Sequence, residues 1–200
     1  MNLKVIAFDA DDTLFVNEPY FQETEQKFCG LMGDYLSHQG ISQELFKVEI
    51  DNLKIYGYGI KAYTLSMIEA AMKISDSTIP VEVIEKIIKY GKELLEKPIE
   101  LLDGVEETLQ ALHGKYKLVV ATKGDLLDQR RKLHNSGLGH YFHHINGGQT
   151  GKRLLRFDQT FRDTARRIFY DWKLPKIRCF AGFGHWRTRC PYSVSHHLGS

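Results

Sequence analysis

The chain has 200 residues, 42% of them hydrophobic, and a formal net charge of +2. That is enough for one ordinary domain, or for a core domain carrying a smaller insert. No apolar run approaches the ~18 residues of a membrane helix, and the start Met1-Asn2-Leu3-Lys4 lacks the shape of a secretory signal. These features argue against a membrane partner.

The first predicted element is a short buried strand, Val5-Ile6-Ala7, running into Phe8-Asp9-Ala10-Asp11-Asp12-Thr13-Leu14. It delivers Asp9 and Asp11 to its C-terminal end, where residues i and i+2 can face one small site. Two close carboxylates repel, so they call for a cation or a shared proton. A hard oxygen site of this kind suits Mg²⁺. The chemistry that needs such a pair is phosphoryl transfer through an aspartyl-phosphate, with one acid attacking phosphorus and the other moving protons. The alternative is a solvated turn, or an N-cap for the next helix.

Four helical patterns follow. Phe21, Phe28, Leu31, Met32 and Tyr35 form one stripe; Leu45, Phe46 and Val48 mark a second, short element. Leu65, Ile68 and Met72 make a third, set off by Gly57 and Gly59. Val81, Ile84, Ile87, Ile88, Leu94 and Leu95 make a fourth, introduced by Pro80. Together they read as a helical bundle between two strand-bearing parts. Leu101 to Val105 then opens a helix that runs through His113.

Next comes the strand Lys117-Leu118-Val119-Val120-Ala121, ending in Thr122-Lys123-Gly124-Asp125 before a helical pattern with Leu126, Leu127 and Leu133. A hydroxyl at a strand tip, beside Gly and a helix start, can hold a phosphate oxygen, because the helix offers free N–H groups and a favourable dipole. On its own, the same string is a strand end and a turn. Tyr141 to Ile145 reads as a further strand. The nearby His140, His143 and His144 read as a solvated strand edge rather than a metal site.

Taken together, Asp-x-Asp-x-Thr-Leu after an N-terminal strand and Thr122 at a second strand tip resemble the first two motifs of the haloacid dehalogenase (HAD) superfamily. The resemblance implies an α/β fold: a Rossmann-like parallel-sheet core with an inserted all-helical cap. The core would take residues 1–16 and 99–200, and the cap 17–98. It implies Asp9 as nucleophile and Asp11 as general acid/base. Thr122, Lys123 and Gly124 would bind phosphate. Mg²⁺ would be held by Asp9 and Asp11, the latter through its backbone carbonyl. The implied reaction is hydrolysis of a small phosphorylated metabolite, and the presence of an acid at position 11 favours phosphate chemistry over dehalogenation. The cap closes over such a site, with Tyr20, Tyr56, Tyr58, Lys61 and Tyr63 as candidates for substrate contact. A receiver-type signalling domain fits less well, because it lacks an ~80-residue helical insert.

The resemblance stops near residue 145. Lys152 is the candidate for the family's charge-neutralising Lys, but no apolar strand leads into an acidic metal motif; Asp171 is the late acid that would have to stand in for it, and no apolar strand precedes it. A catalytically impaired or non-catalytic binding protein of the same fold is therefore the alternative reading.

Charge changes at the same point. Residues 1–145 hold 14 Lys and 2 Arg against 9 Asp and 13 Glu, a net of −6. Residues 146–200 hold 3 Lys and 8 Arg against 3 Asp and no Glu, a net of +8. A basic tail can mark nucleic-acid binding, but here Trp172, Phe180, Phe183 and Trp186 follow no amphipathic order, and no nucleic-acid partner is expected. A divergent tail is one explanation. The other is a shifted reading frame over about residues 146–190. Codons permitted for Phe169 to Arg189, read one base later, can encode an apolar strand followed by Gly-Asn-Ser-x-x-x-Asp. The three cysteines, Cys29, Cys179 and Cys190, are odd in number and lack metal spacing, which fits a reduced, cytoplasmic setting.

Overall fold

The computed structural model describes residues 5–147. Three parallel strands form one sheet: β1 (Val5–Phe8), β2 (Lys117–Thr122) and β3 (His144–Gly147), in the order β1-β2-β3. Val5 pairs with Lys117 and Phe8 with Val120; on the other side Val119 pairs with His144 and Thr122 with Gly147. β2 is central, and its Leu118, Val119 and Val120 are all buried. A strand covered on both faces needs such a continuous apolar run rather than alternation. The third strand begins at His144, three residues later than the sequence pattern places it. Leu138–Tyr141 forms a 3-10 turn instead, entered through Gly137 at φ 75°.

Between β1 and β2 lie α1 (Glu18–Leu31), α2 (His38–Tyr56), α3 (Ile60–Ile74), α4 (Val81–Leu95) and α5 (Val105–Leu112). The second is a full 19-residue helix, not the short element expected. Ser37 caps it, accepting from the Gly40 N–H at 3.3 Å, and Gly57 at φ 73° closes it. Helix α2 packs on α3, α3 on α4, and α1 on α4. Gly91 of α4 permits a close approach to α3: a Cβ there would lie 2.2 Å from Thr64 Oγ1.

The buried apolar side chains fall into two clusters. One joins Phe28, Met32, Ile41, Leu45, Met67 and Ile87 of α1–α4. The other joins Leu14, Phe15, Leu109, Leu118, Val120 and Leu138 around the sheet. The chain passes between them twice, near residues 16–17 and 95–99, and there the two passages pair: Val16 N–H donates to Glu100 O at 2.9 Å and Leu102 N–H to Leu14 O at 3.2 Å. The stripe expected on α3 is covered only at Ile68, which packs against the helical cluster. Leu65 and Met72 face solvent, while Ile60, Tyr63, Met67, Ala70 and Ala71 are buried. A helix that is apolar almost all round gives several equivalent stripes, and the neighbours decide which is covered.

Among the described residues no helix is long and apolar enough to cross a membrane. The expectations for Lys152, for Asp171 and for the reading frame of the tail lie outside the described residues.

Candidate active site

Asp9 leaves β1 one residue after the Phe8–Val120 pair, and Thr122 closes β2 two residues after it. Both therefore emerge at the C-terminal end of the sheet, where ligands of open α/β sheets bind. The turn after Asp9 is tight. Leu14 N–H reaches Ala10 O at 2.8 Å and Asp12 N–H reaches Phe15 O at 2.8 Å, while Leu14 and Phe15 are sunk into the sheet cluster. Two buried anchors thus fix a loop that carries three acids.

The three carboxylates have separate surroundings. Asp9 opens to solvent at the mouth of the site, yet the protein around it strips part of its hydration and lifts its carboxyl above the ordinary value. The Ala10 backbone N–H and Lys123 pull the other way, and the charges of Asp11 and Asp12 push it further up. Asp12 adopts φ 53°, unusual for a residue with a Cβ. Its Oδ1 accepts the backbone N–H groups of Asn17 and Glu18, each at 3.0 Å, so it caps α1 in place of Asn17. Asp11 is held by side chains: Gln129 Nε2 donates to its Oδ2 at 2.7 Å and Lys132 Nζ to its Oδ1 at 2.8 Å.

Those two donors lie on α6 (Leu126–Asn135), the helix that follows the second strand tip. Asp125 caps it, its Oδ1 accepting Asp128 N–H at 3.0 Å. Burial would raise the Asp125 carboxyl, but that bond, Lys61 and the Leu127 N–H hold it below its ordinary value. Thr122 is buried, and its Oγ1 accepts the Gly124 N–H at 3.0 Å, folding the Thr122-Lys123-Gly124 loop back on itself. Gln129 packs beneath that loop: a Cβ on Gly124 would fall 2.7 Å from its Nε2. Glycine at position 124 therefore leaves room for the amide that reaches Asp11.

The sequence reading missed Gln129 and Lys132. The apolar pattern of Leu126, Leu127 and Leu133 marks the helix, and Leu133 is buried, but Leu127 is 72% exposed, whereas Gln129 and Lys132 are 3% and 7% exposed. The available signal was their placement: Gln129, Lys132 and Leu133 share one helix face at three- and four-residue spacing, and Leu133 is buried.

The five candidates from the helical segment separate. Tyr58 and Lys61 reach the strand tips: Lys123 lies 5.7 Å from the Tyr58 ring centroid, and Lys61 Nζ pairs with Asp125 Oδ2 at 3.1 Å. Gly59, at φ 114°, brings the intervening backbone against Asp125. Tyr20 lines a small cavity of about 10 Å³ between the two passages of the chain, with Asn17, Pro98 and Lys132. Tyr56 instead donates to Glu69 at 2.7 Å, and Tyr63 packs on Phe21 inside the helical cluster.

The donors near Asp9 fit a small hard cation. Its carboxylate is partly desolvated and faces the charges of Asp11 and Asp12, and among the described residues the Asp11 carbonyl accepts no backbone hydrogen bond of the loop. The Asp11 carboxylate is committed to Gln129 and Lys132. Among the described residues no group of three or more His, Cys, Asp or Glu is placed to hold one. A Mg²⁺ site keeping several waters is compatible with that short donor set.

Residues 3–157 match the family described as haloacid dehalogenase-like hydrolase. A haloacid dehalogenase-like family hydrolase from Xanthomonas campestris shares 35% identity over 87% of this chain and 70% of its own, with a TM-score of 0.71. An L-2-haloacid dehalogenase, RSc1362, shares 15% identity over 85% of this chain and 74% of its own, with a TM-score of 0.52, and shows the fold alone. A search of curated proteins found no match.

Proposed function

The chain belongs to the haloacid dehalogenase-like hydrolases, and from that premise we propose that it hydrolyses the phosphate ester of a small metabolite through an aspartyl-phosphate. The observation that carries this reading is Asp11. A second carboxylate two residues beyond the nucleophile, fixed in place by Gln129 and Lys132, supplies the proton-transfer group that ester hydrolysis needs and that dehalogenation does without.

In this reading Asp9 attacks phosphorus while Asp11 gives a proton to the departing ester oxygen. Asp11 then takes a proton from the water that attacks the aspartyl-phosphate, releasing phosphate and restoring Asp9. Thr122, Lys123 and Gly124 hold the phosphoryl oxygens at the strand tip, and Lys152 adds positive charge. When bound, Mg²⁺ supplies the positive charge that lets an anionic nucleophile approach an anionic ester. Residues 17–98 act as the cap, and Tyr58 and Lys61 present its surface to the substrate. We further propose that about residues 146–190 represent a shifted frame. Resequencing the coding DNA tests that directly; an unbroken native frame would end the idea.

The test of function is hydrolysis of a chromogenic phosphomonoester with Mg²⁺, for the parent and for Asp9→Asn. The expected result is turnover in the parent and only background in the variant. Asp9→Asn activity within tenfold of the parent would remove Asp9 from the mechanism. Halide release from a 2-haloacid, with no phosphate release from esters, would assign the chain to dehalogenation.

A further inference from the structure

We propose that Lys132, assisted by Gln129, is the positioning residue for Asp11, and that it fixes that carboxylate relative to the chain passage leading into the helical segment. This rests on the phosphohydrolase reading above. Lys132 is 7% exposed, yet its charge meets three acceptors. Its Nζ lies 2.8 Å from Asp11 Oδ1, 2.8 Å from Asn17 Oδ1 and 3.8 Å from Asp128 Oδ2. A buried ammonium is retained at a cost, and it persists only where its partners satisfy it. Gln129, one turn earlier on α6, takes the other Asp11 oxygen. Both oxygens of the proposed acid/base are thereby fixed from a single helix face, and a carboxylate held at two points has little freedom to rotate.

The Asn17 contact gives the arrangement its second property. Asn17 occupies the N-cap position of α1 but makes no side-chain capping bond; Asp12 caps the helix instead, and the Asn17 amide oxygen is turned to Lys132. The return passage is held by the neighbouring residue, since Arg131 donates to Leu95 O at 2.5 Å and to Asp128 Oδ1 at 2.6 Å. Successive residues of α6 therefore grip the outgoing and returning chain, and one of them also grips Asp11. A displacement of the helical segment that moves Asn17 must act on the ammonium that orients Asp11.

A positioning role has a signature that a purely structural role lacks. General-acid help matters most when the departing oxygen is a poor leaving group. The experiment compares hydrolysis of p-nitrophenyl phosphate with that of glycerol phosphate, at saturating Mg²⁺, for the full chain and for Lys132→Met. The expected loss in kcat is about 10²-fold for the alkyl ester and under about tenfold for the aryl ester, with KM changed by less than about threefold. Lys132→Arg should recover part of the alkyl-ester rate. In an Asp11→Asn background, Lys132→Met should cost less than about threefold more, because the group it positions is gone. Melting temperatures of the same four proteins form a cycle that reads the Asp11–Lys132 contact without reference to turnover, and they should be non-additive. If Lys132→Met fails to fold, Gln129→Met, which keeps the ion pair, should show the same alkyl-over-aryl loss at smaller size. Equal losses on both esters, or full additivity with Asp11→Asn, overturn the positioning role alone. No Asp9-dependent hydrolysis in the parent overturns the phosphohydrolase reading, and the positioning role with it.

Discussion

Helices α4 and α6 each turn one face to the protein, and they bury opposite kinds of side chain. Helix α4 covers Ile87, Gly91 and Leu94. Helix α6 covers Asp128, Gln129 and Lys132 beside a single Leu133, while its Leu126 and Leu127 face solvent. The first arrangement follows from the ordinary rule that removing apolar surface from water stabilises. The second runs against it, because buried polar groups must recover in partners what they lose in hydration. The partners of Gln129 and Lys132 on neighbouring elements are Asp11 and Asn17. The apolar face builds the fold, and the polar face arranges the site.

Substitutions can break this contrast. The largest expected effect is on chemistry: Asp9→Asn should reduce phosphomonoester turnover to background, and Asp11→Asn should slow it by roughly 10²–10⁴-fold, the usual range for losing a general acid/base. Steady-state kinetics at saturating Mg²⁺ reads both.

Next come the two helices themselves. Ile87→Ala should cost about 2–5 kcal/mol of stability by leaving a cavity in a core position, measured by urea unfolding. The same Gly→Ala change should act differently at two sites. At Gly91 the new methyl meets Thr64 Oγ1 at 2.2 Å and should destabilise by about 1–3 kcal/mol, relieved when Thr64 is also changed to Ala. At Gly124 it meets the movable end of Gln129 at 2.7 Å. There it should displace the amide from Asp11 and lower turnover more than stability. Equal stability losses at the two glycines would erase the contrast.

A smaller effect concerns pH. The folded protein holds the Asp9 proton more tightly than the unfolded chain does, since the Asp9 carboxyl is raised from its ordinary 3.8. The folded state therefore loses stability from this group as pH rises through the carboxylate range. Without divalent cations, Asp9→Asn should melt above the parent at pH 7, and the gap should close as pH falls below the ordinary value. A parent that melts higher than the variant at pH 7 in EDTA would contradict the desolvation of Asp9. The smallest effect is expected at Lys61→Met, which removes a solvent-screened pair with Asp125 and should cost at most about 1 kcal/mol.

The sequence made some of this legible. Strands β1 and β2 were readable because each is an apolar run ending in polar residues of restricted type, and the helical segment because its stripes recur at helical spacing. What escaped has a common physical origin. On α3 the apolar residues are too many to single out a face. On α6 the buried face is mostly polar, so of the three leucines in the pattern only Leu133 lies on it, while Leu126 and Leu127 face solvent. The double duty of the acidic loop was half visible: the N-cap alternative, raised against the catalytic reading, describes Asp12, while Asp9 and Asp11 stay with the strand tip. No local pattern could show that Asn17 turns from its own helix to Lys132, since that contact joins residues far apart in the chain.

The pairing of Val5 with Lys117 has a consequence for how the molecule assembles. These strands meet only after the whole intervening chain is looped, and the entropy of that closure must be met before any bond of the pair is gained. Helices α1 to α4, by contrast, pack on one another within the intervening segment, α2 on α3, α3 on α4 and α1 on α4, and share a cluster of their own. Folding them first shortens the effective loop and brings Asn17 and Leu95 toward each other. Pulse-labelled hydrogen exchange should find the amides of α2–α4 protected before those of β1 and β2. Asp9, Asp11 and the Thr122-Lys123-Gly124 loop would then come together late in folding.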